Sequence, residues 1–286
     1  MADQALRGIG LTTGACVVFA MADTLSKYLT ASLPVIEIQW IRYVLFFALA
    51  AAMAWGAPER ALRPRNPKLQ LLRGLCVTLS SVLFVYGIRR MTMAEATTIS
   101  FLSPILITIL SIPLLGEVVG VRRWSAVLVG MVGMLIVVRP GGSAFEPAAL
   151  FGVASASCWA LALIITRKIS ASDPPRTTIF WSSMVGAGIL TLLMPFEAIW
   201  PTWAQFGLCL VLGVLSSAGQ WLVVLAHRLA PASVLAPFSY TPLPWVPAGG
   251  FWVFGSLPDF WTVVGAGIII GSGLYTVHRE RVRARG

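Results

Sequence analysis

The stretch Ala94-Glu-Ala-Thr-Thr-Ile-Ser-Phe-Leu-Ser-Pro-Ile-Leu106 has oily flanks, yet it carries a carboxylate, four hydroxyls and a proline. It also has an echo. Starting 138 residues later the chain reads Ala232-Ser-Val-Leu-Ala-Pro-Phe-Ser-Tyr-Thr-Pro-Leu-Pro244, where Ala232 answers Ala94, Thr241 answers Ser103 and Pro242 answers Pro104. A proline removes a backbone donor and clashes with the carbonyl four residues back. In hydrocarbon each freed polar group costs several kcal/mol unless something satisfies it. A segment of this kind, written twice, has to face other helices or a water-filled space rather than bulk lipid.

The surroundings are those of a membrane protein. The 286 residues are 57% hydrophobic and 11% charged, with a mean hydropathy of +0.83, whereas soluble domains carry about 25% charged residues. Ten mainly apolar runs, near 8–28, 34–55, 70–88, 94–115, 122–138, 147–167, 177–196, 204–226, 231–254 and 259–277, are of the length that crosses the bilayer. Short connections leave no room for a soluble domain between them. The fold class read from this pattern is an all-α polytopic membrane protein with ten transmembrane helices.

The net charge of +10 follows topology rather than nucleic acid. With a cytoplasmic N-terminus, 16 of the 21 Lys and Arg fall on the inner side, among them Arg60, Arg63, Arg65, Lys68, Arg73, Arg122, Arg123, Arg167, Lys168 and the arginines of the C-terminal tail. Lys27, Arg89, Arg90 and Arg139 fall outside, and Arg42 lies within a span. This is the positive-inside asymmetry, with both termini cytoplasmic. Arg7 followed by an apolar run and Ala20-Met-Ala22 has the look of a cleaved signal. Its counterpart in the second half of the chain lies mid-sequence, which argues for a retained helix. Cys16, Cys76, Cys158 and Cys209 each sit inside an apolar run without metal-ligand spacing and read as small buried hydrophobes.

The repetition extends over the whole chain. Lys27–Pro34 (KYLTASLP) matches Lys168–Pro175 (KISASDPP) at an offset of 141, and Trp40 falls on Trp181 at the same offset. Arg89-Arg90 aligns with His227-Arg228, Leu115-Gly116 with Phe254-Gly255, and Trp124 with Gly130 aligns with Trp261 and Gly267. Each copy, 1–143 and 144–286, therefore holds five spans. Five is odd, so the second copy enters the membrane from the opposite face. The expected architecture is two inverted-topology five-helix repeats around a central cavity, an arrangement of secondary transporters.

Trp40-Ile-Arg42-Tyr43 in the second span, Ala94-Glu-Ala and Ser103-Pro104 in the fourth, Leu115-Gly116-Glu117 before the fifth and Arg139-Pro140 after it together resemble the EamA domain of the drug/metabolite transporter superfamily. Two such domains cover essentially the whole chain. The second copy departs from the pattern, with Ser256 in place of Glu117 and Ser183 in place of Arg42. The resemblance implies a secondary transporter of small organic solutes that works by alternating access in a bacterial inner membrane. Amino acids or related metabolites are the favoured substrates and export the favoured direction. A carrier for a cofactor precursor, nucleoside or drug-like cation is the alternative within the class. From another class, a membrane-embedded enzyme or lipid-handling protein needs a His/Asp/Glu cluster at one depth or a groove open to lipid.

The ninth span gathers Pro237, Pro242 and Pro244, and the fourth holds Pro104, so these prolines are candidates for helix breaks or gates. Simple packing kinks are the plainer reading. Around them, Ser100, Phe101, Ser103, Tyr240, Thr241 and Trp245 are candidate substrate contacts, with Tyr86, Trp159, Gln220 and Trp221 on neighbouring spans. A packing role is as fitting for any one of them. Arg42 is an ionisable group within a span and so a functional candidate, either pairing with Asp23 or Glu95 or binding a substrate carboxylate. Asp23, Glu37 and Glu95 are candidates for proton relay or ion pairing, and Asp23 with Lys27 has the spacing of a helix-surface pair. No nucleophile-base set, metal-ligand spacing or P-loop is written in the chain, so neither catalysis, a metal, a cofactor nor ATP hydrolysis is expected. The expected partners are a small-molecule substrate and the lipid bilayer; the sequence does not speak to oligomeric state.

Overall fold

The computed structural model describes residues 2–55, 62–115, 121–139, 147–169, 172–197, 199–229, 250–255 and 258–283. Among these the regular structure is helical throughout. The first three helices are α1 (Ala2–Leu29), α2 (Val35–Ala54) and α3 (Pro67–Arg90). The fourth apolar run is split into α4 (Met93–Ser100) and α5 (Leu102–Leu115), and α6 (Val121–Val138) follows. Then come α7 (Ala149–Ile169), α8 (Pro175–Leu193), continued by a 3-10 turn over Met194–Phe196, α9 (Trp203–Leu229) and α10 (Phe260–Arg283). Prolines set several of the starts. Pro34 precedes α2, and Pro67 and Pro175 occupy the first turns of α3 and α8, where the missing N–H would have had no partner anyway.

Among the described residues, six helical stretches are long and apolar enough to cross a membrane: Leu6–Leu29, Val35–Ala54, Pro67–Arg90, Ala149–Ile169, Pro175–Phe196 and Trp203–Ala226. Met93–Ile107, Leu128–Val138 and Phe260–Ser272 are shorter apolar helical stretches. Most of the ninth run, with Tyr240, Thr241, Trp245, Pro237, Pro242 and Pro244, lies outside the described residues. The burial pattern is that of a protein in lipid. Leu71, Leu72, Leu75 and Leu79 form an exposed apolar stripe on α3, while the polar Gln70, Arg73, Thr78 and Ser80 of the same helix are buried.

The break between α4 and α5 explains the polar stretch that opens the sequence. Glu95 and Thr92 form a reciprocal capping box at the start of α4: Thr92 N–H and Oγ donate to Glu95 Oε2, both at 2.9 Å, and Glu95 N–H donates to Thr92 Oγ at 3.2 Å. Along α4 the hydroxyls of Thr97, Thr98 and Ser100 donate back to carbonyls four residues earlier. At its end Pro104 has no N–H to give to the Ser100 carbonyl. The Ser103 hydroxyl donates there instead, at 2.7 Å. The hydroxyls thus serve the backbone, which lets a proline-broken helix persist among apolar neighbours.

Other helices approach through glycine. A Cβ added at Gly133 of α6 would lie 2.9 Å from the Gly265 carbonyl oxygen of α10, and one added at Gly265 would lie 2.7 Å from the Gly133 oxygen. The two backbones therefore touch, as small residues permit in membranes. Arg139, in the left-handed region at φ 47°, pairs with Asp259 and ties the end of α6 to the start of α10, where Asp259 also accepts from Thr262 N–H at 2.9 Å. Gly267 and Gly271 meet open space instead, because they lie on a different face of α10 from Gly265.

The bundle pairs α1 with α9, α3 with α7, α6 with α10 and α2 with α8, and α3 also meets α8 as α2 meets α9. Its two ends are distinct. At one, Gln205 Nε2 donates to Ser32 Oγ at 3.0 Å, Ile199 N–H to Glu37 Oε2 at 3.3 Å, and Lys27 to the Met91 carbonyl. At the other, the α2–α3 connection meets the α7–α8 turn: Arg65 N–H donates to Asp173 at 2.9 Å and Trp181 Nε1 to the Leu62 carbonyl at 3.0 Å.

If Ser103 repairs the gap left by Pro104, Ser103→Ala should lower the unfolding free energy in detergent by about 1 kcal/mol. The same change beside Pro104→Ala, which restores the N–H, should cost far less. Thermal unfolding of the four members of this cycle measures the difference; equal costs in both backgrounds would separate Ser103 from the break.

Candidate functional site

Arg42 lies eight residues into α2, in the apolar part of the span. Its guanidinium donates to Ser81 Oγ of α3 at 3.0 Å and to Gln39 Oε1, one helical turn away, at 3.3 Å. Gln39 is fully buried; its amide donates to the Ser81 carbonyl at 3.0 Å, and Ser81 Oγ donates to Gln39 Oε1 at 3.2 Å. The Arg42 guanidinium also lies 5.9 Å from the Tyr43 ring centroid. These hydrogen-bond partners are neutral. Asp23 of α1 is within electrostatic reach of Arg42 but makes no hydrogen bond to it among the described contacts. The result is a cation held in place at span depth by neutral hydrogen-bond acceptors, with the Asp23 carboxylate within electrostatic reach.

Aromatic side chains gather beside this cluster. Tyr86 of α3, Trp221 of α9 and Trp40 of α2 are half-buried against one core group containing Tyr43, Phe46, Ile179 and Leu190. Trp40 Nε1 donates to Thr191 Oγ at 3.0 Å, and the Tyr86 ring packs on Phe151 with centroids 5.8 Å apart. Gln220, next to Trp221, is also half-buried. Tyr43, whose ring the Arg42 guanidinium approaches, thus links Arg42 to the group that holds Tyr86 and Trp221.

Other candidates are placed elsewhere. Phe101, at the α4–α5 break, is buried against Ile269 of α10. Trp159 packs with Cys76, Val77 and Ala162 at the α3–α7 contact. Ser100 and Ser103 have their hydroxyl protons committed to backbone carbonyls. Glu95 caps α4 rather than reaching Arg42, although its charge acts on Lys27. Lys27 does not form the expected surface pair with Asp23. It donates to the Met91 carbonyl and sits 5.2 Å from the Phe254 ring centroid, because α3 and α4 join beside it. Glu37 is buried at the start of α2, too far along the helix to face Arg42, and accepts from Ile199 N–H.

A second polar cluster escaped the sequence reading. Arg73, 4% exposed, donates to Thr166 Oγ at 2.8 Å, to the Thr178 carbonyl at 3.5 Å and to Ser182 Oγ. One turn earlier, fully buried Gln70 donates to Asp173 Oδ2 at 2.8 Å and to Thr178 Oγ at 3.2 Å. These bonds clamp α3 to α7 and α8 at the end that holds Asp173. Arg73 reads in sequence as one of a run of loop cations. It nevertheless falls within the run near 70–88, and Pro67 fixes the start of α3 six residues before it.

Comparison with known proteins now supplies the context. The profile described as the EamA-like transporter family matches residues 6–139 and again residues 146–277. The chain belongs to the EamA-like transporter family. It is 27% identical over 274 residues to the S-adenosylmethionine uptake transporter of Rickettsia bellii, covering 96% of this chain and 94% of that protein. It is 27% identical to the riboflavin transporter of Rhizobium johnstonii, covering 94% and 90%. To the pseudopaline exporter CntI of Pseudomonas aeruginosa strain UCBPP-PA14 it is 29% identical, covering 94% and 95%. A crystal structure of a protein 18% identical superposes with a TM-score of 0.66, covering 96% of each chain, a likeness of fold. The family and these relatives are transporters, not enzymes, and the chain is a multi-pass membrane protein of the drug/metabolite transporter superfamily that moves small solutes.

The clamp on Asp173 can be weighed. Removing a buried hydrogen-bonded carboxylate costs about 1.5–3 kcal/mol, whereas exposed pairs contribute ~0–1 kcal/mol. Asp173→Ala should therefore lower thermal stability in detergent markedly, and Asp259→Ala, at the exposed Arg139 pair, should lower it little. Similar losses for the two variants would remove the clamp's special status.

Proposed function

We propose that this EamA-like transporter is a ten-span carrier of two inverted repeats, residues 1–143 and 144–286, that moves solutes bearing an α-amino carboxylate, with S-adenosylmethionine the first solute to test. The observation that carries the substrate class is Arg42, a span-depth cation whose hydrogen bonds go to neutral partners. A carboxylate entering there gains a charge-assisted, bidentate partner. Tyr86, Gln220 and Trp221 supply apolar and hydrogen-bonding surface for the rest of the solute, and Tyr240, Thr241 and Trp245 of the proline-rich ninth run are further candidates on sequence grounds.

Two features support the repeat. Exchanging the first five runs for the second five turns the α1–α9 pairing into α3–α7 and the α3–α8 pairing into α2–α9, and leaves α2–α8 and α6–α10 unchanged. The C-terminus of α1 lies at the end marked by Ser32, and that of its counterpart α7 at the end marked by Asp173, as inversion requires. The arginine-rich connections share the Asp173 end, which we take as cytoplasmic, with both termini on that side in a bacterial inner membrane. The clamp of Gln70 and Arg73 then closes the cytoplasmic end in this conformation.

Amino acids, the class expected from sequence, share the same α-amino carboxylate and stay within the proposal. Transport direction is not a property of the fold: relatives are named for uptake and for export. A carrier that works by alternating access runs in either direction, down the solute or coupling-ion gradient. A second reading, a flavin-like cofactor precursor, is favoured by the riboflavin transporter relative and by the Tyr86–Phe151 ring pair.

The test is uptake into proteoliposomes of labelled S-adenosylmethionine, methionine and riboflavin, with and without an imposed pH gradient. Saturable uptake of the first two should fall about tenfold or more in Arg42→Ala, which removes a charged hydrogen bond, and recover in part in Arg42→Lys. Riboflavin uptake insensitive to Arg42 would favour the second reading. Uptake of none of the three by folded protein would discard the substrate class.

A further inference from the structure

Away from the Arg42 cluster, at the end of the bundle that holds the α1–α2 turn, lies a cleft of about 370 Å³. Its volume is within the range of small-molecule sites. Pro34 and Ile199 supply apolar lining, and Tyr86, Arg89 and Glu197 supply the polar groups. The Tyr86 hydroxyl donates to Glu197 Oε1 at 3.4 Å, and the charges of both Glu197 and Arg89 act on that hydroxyl. A cation and an anion thus act on one phenol, and no ion pair joins them among the described contacts. Had they closed into a direct pair, the charges would be spent on one another and the cleft would be a latch. Exposed at the mouth of the cleft beside the apolar Pro34 and Ile199, they complement a solute that carries both signs.

We infer that this cleft is a second binding site, specific for zwitterionic α-amino acid groups, where solute is held before it passes to Arg42. The Arg89 guanidinium takes the carboxylate in a fork geometry, Glu197 takes the ammonium, and the Tyr86 hydroxyl bridges them. Tyr86 is also half-buried in the aromatic group beside Arg42, so one side chain borders both places. The lining comes from both halves of the sequence: Pro34, Tyr86 and Arg89 precede residue 143, whereas Glu197 and Ile199 follow it. A bound zwitterion would therefore bridge the two repeats at the end opposite the Asp173 clamp. The assignment of this end as outward-facing rests on the transport reading above; the chemistry of the cleft does not.

The experiment separates the two. Ala31, an exposed residue of the cleft wall, is replaced by Cys in a full-length chain whose four native cysteines are changed to Ala or Ser. The rate of its reaction with a charged thiol reagent is followed as solute is added. Methionine and S-adenosylmethionine should slow labelling, whereas methionine methyl ester, which lacks the carboxylate, and N-acetylmethionine, which lacks the ammonium, should need at least tenfold higher concentrations. Arg89→Gln and Glu197→Gln should each raise the half-protecting concentration of methionine about tenfold or more. Arg42→Ala should keep protection while losing transport. Equal protection by the blocked compounds, or unchanged protection in both charge variants, overturns the site. Protection with charge selectivity but no transport by the unmutated protein keeps the site and discards the transport reading, and transport without protection does the reverse. Size-exclusion profiles that match the parent confirm that each variant is folded.

Discussion

The constraint on which this structure depends is that hydrocarbon cannot hydrogen-bond the backbone. A soluble protein can leave a broken helix to water. Here the break between Ser100 and Pro104 persists because a hydroxyl of the chain itself stands in for the missing amide, and because Phe101 and Leu102 are buried among α6, α7 and α10 rather than facing lipid. The same rule governs charge. Arg42 and Arg73 are each fixed by several oxygen acceptors, and Asp173 accepts both from a backbone N–H and from the Gln70 amide. These interior polar groups are therefore held in sets, and the set built on Gln70, Arg73 and Asp173 joins α3 to helices that the sequence keeps far from it.

Much of this was legible beforehand. Among the described residues, six helices long and apolar enough to span lie where the sequence reading puts a span, because a bilayer-crossing helix needs little more than an apolar run of the right length. Arg42 was recognisable for the same reason: a guanidinium inside such a run stands out against its background. Gln39 was legible in principle, one turn from Arg42 on the same face, but an uncharged amide in a span carries no such contrast. Arg73 was hidden by company. It follows Arg63, Arg65 and Lys68, so charge counting groups it with the loop cations even though it falls within the run near 70–88, and the start of α3 at Pro67 sets it well inside the helix.

The serines and threonines of the opening stretch show the limit in the other direction. Their composition announces a polar purpose but not its object. Whether a hydroxyl reaches toward a solute or back to its own helix turns on one χ1 rotation, and sequence spacing does not encode that. In the structure Thr97, Thr98 and Ser100 turn inward to the previous helical turn. Likewise Phe101 and Trp159 have the chemistry of a binding wall, yet they are spent on contacts between helices. Partner choice among aromatics depends on the crossing of helices distant in sequence, which local pattern cannot supply.

The meeting of Gly133 and Gly265 differs in kind from the interdigitated contacts elsewhere. At other glycines a partner's side chain fills the gap, as Val185 does at Gly74 and Leu45 at Gly213. Here main chain meets main chain, flanked by Val137 of α6 and by Ile268 and Ile269 of α10. Such a contact fixes where α6 and α10 cross, like the rivet of a pair of scissors, and the flanking side chains set the angle. A methyl group on either blade at the rivet would push the two helices apart.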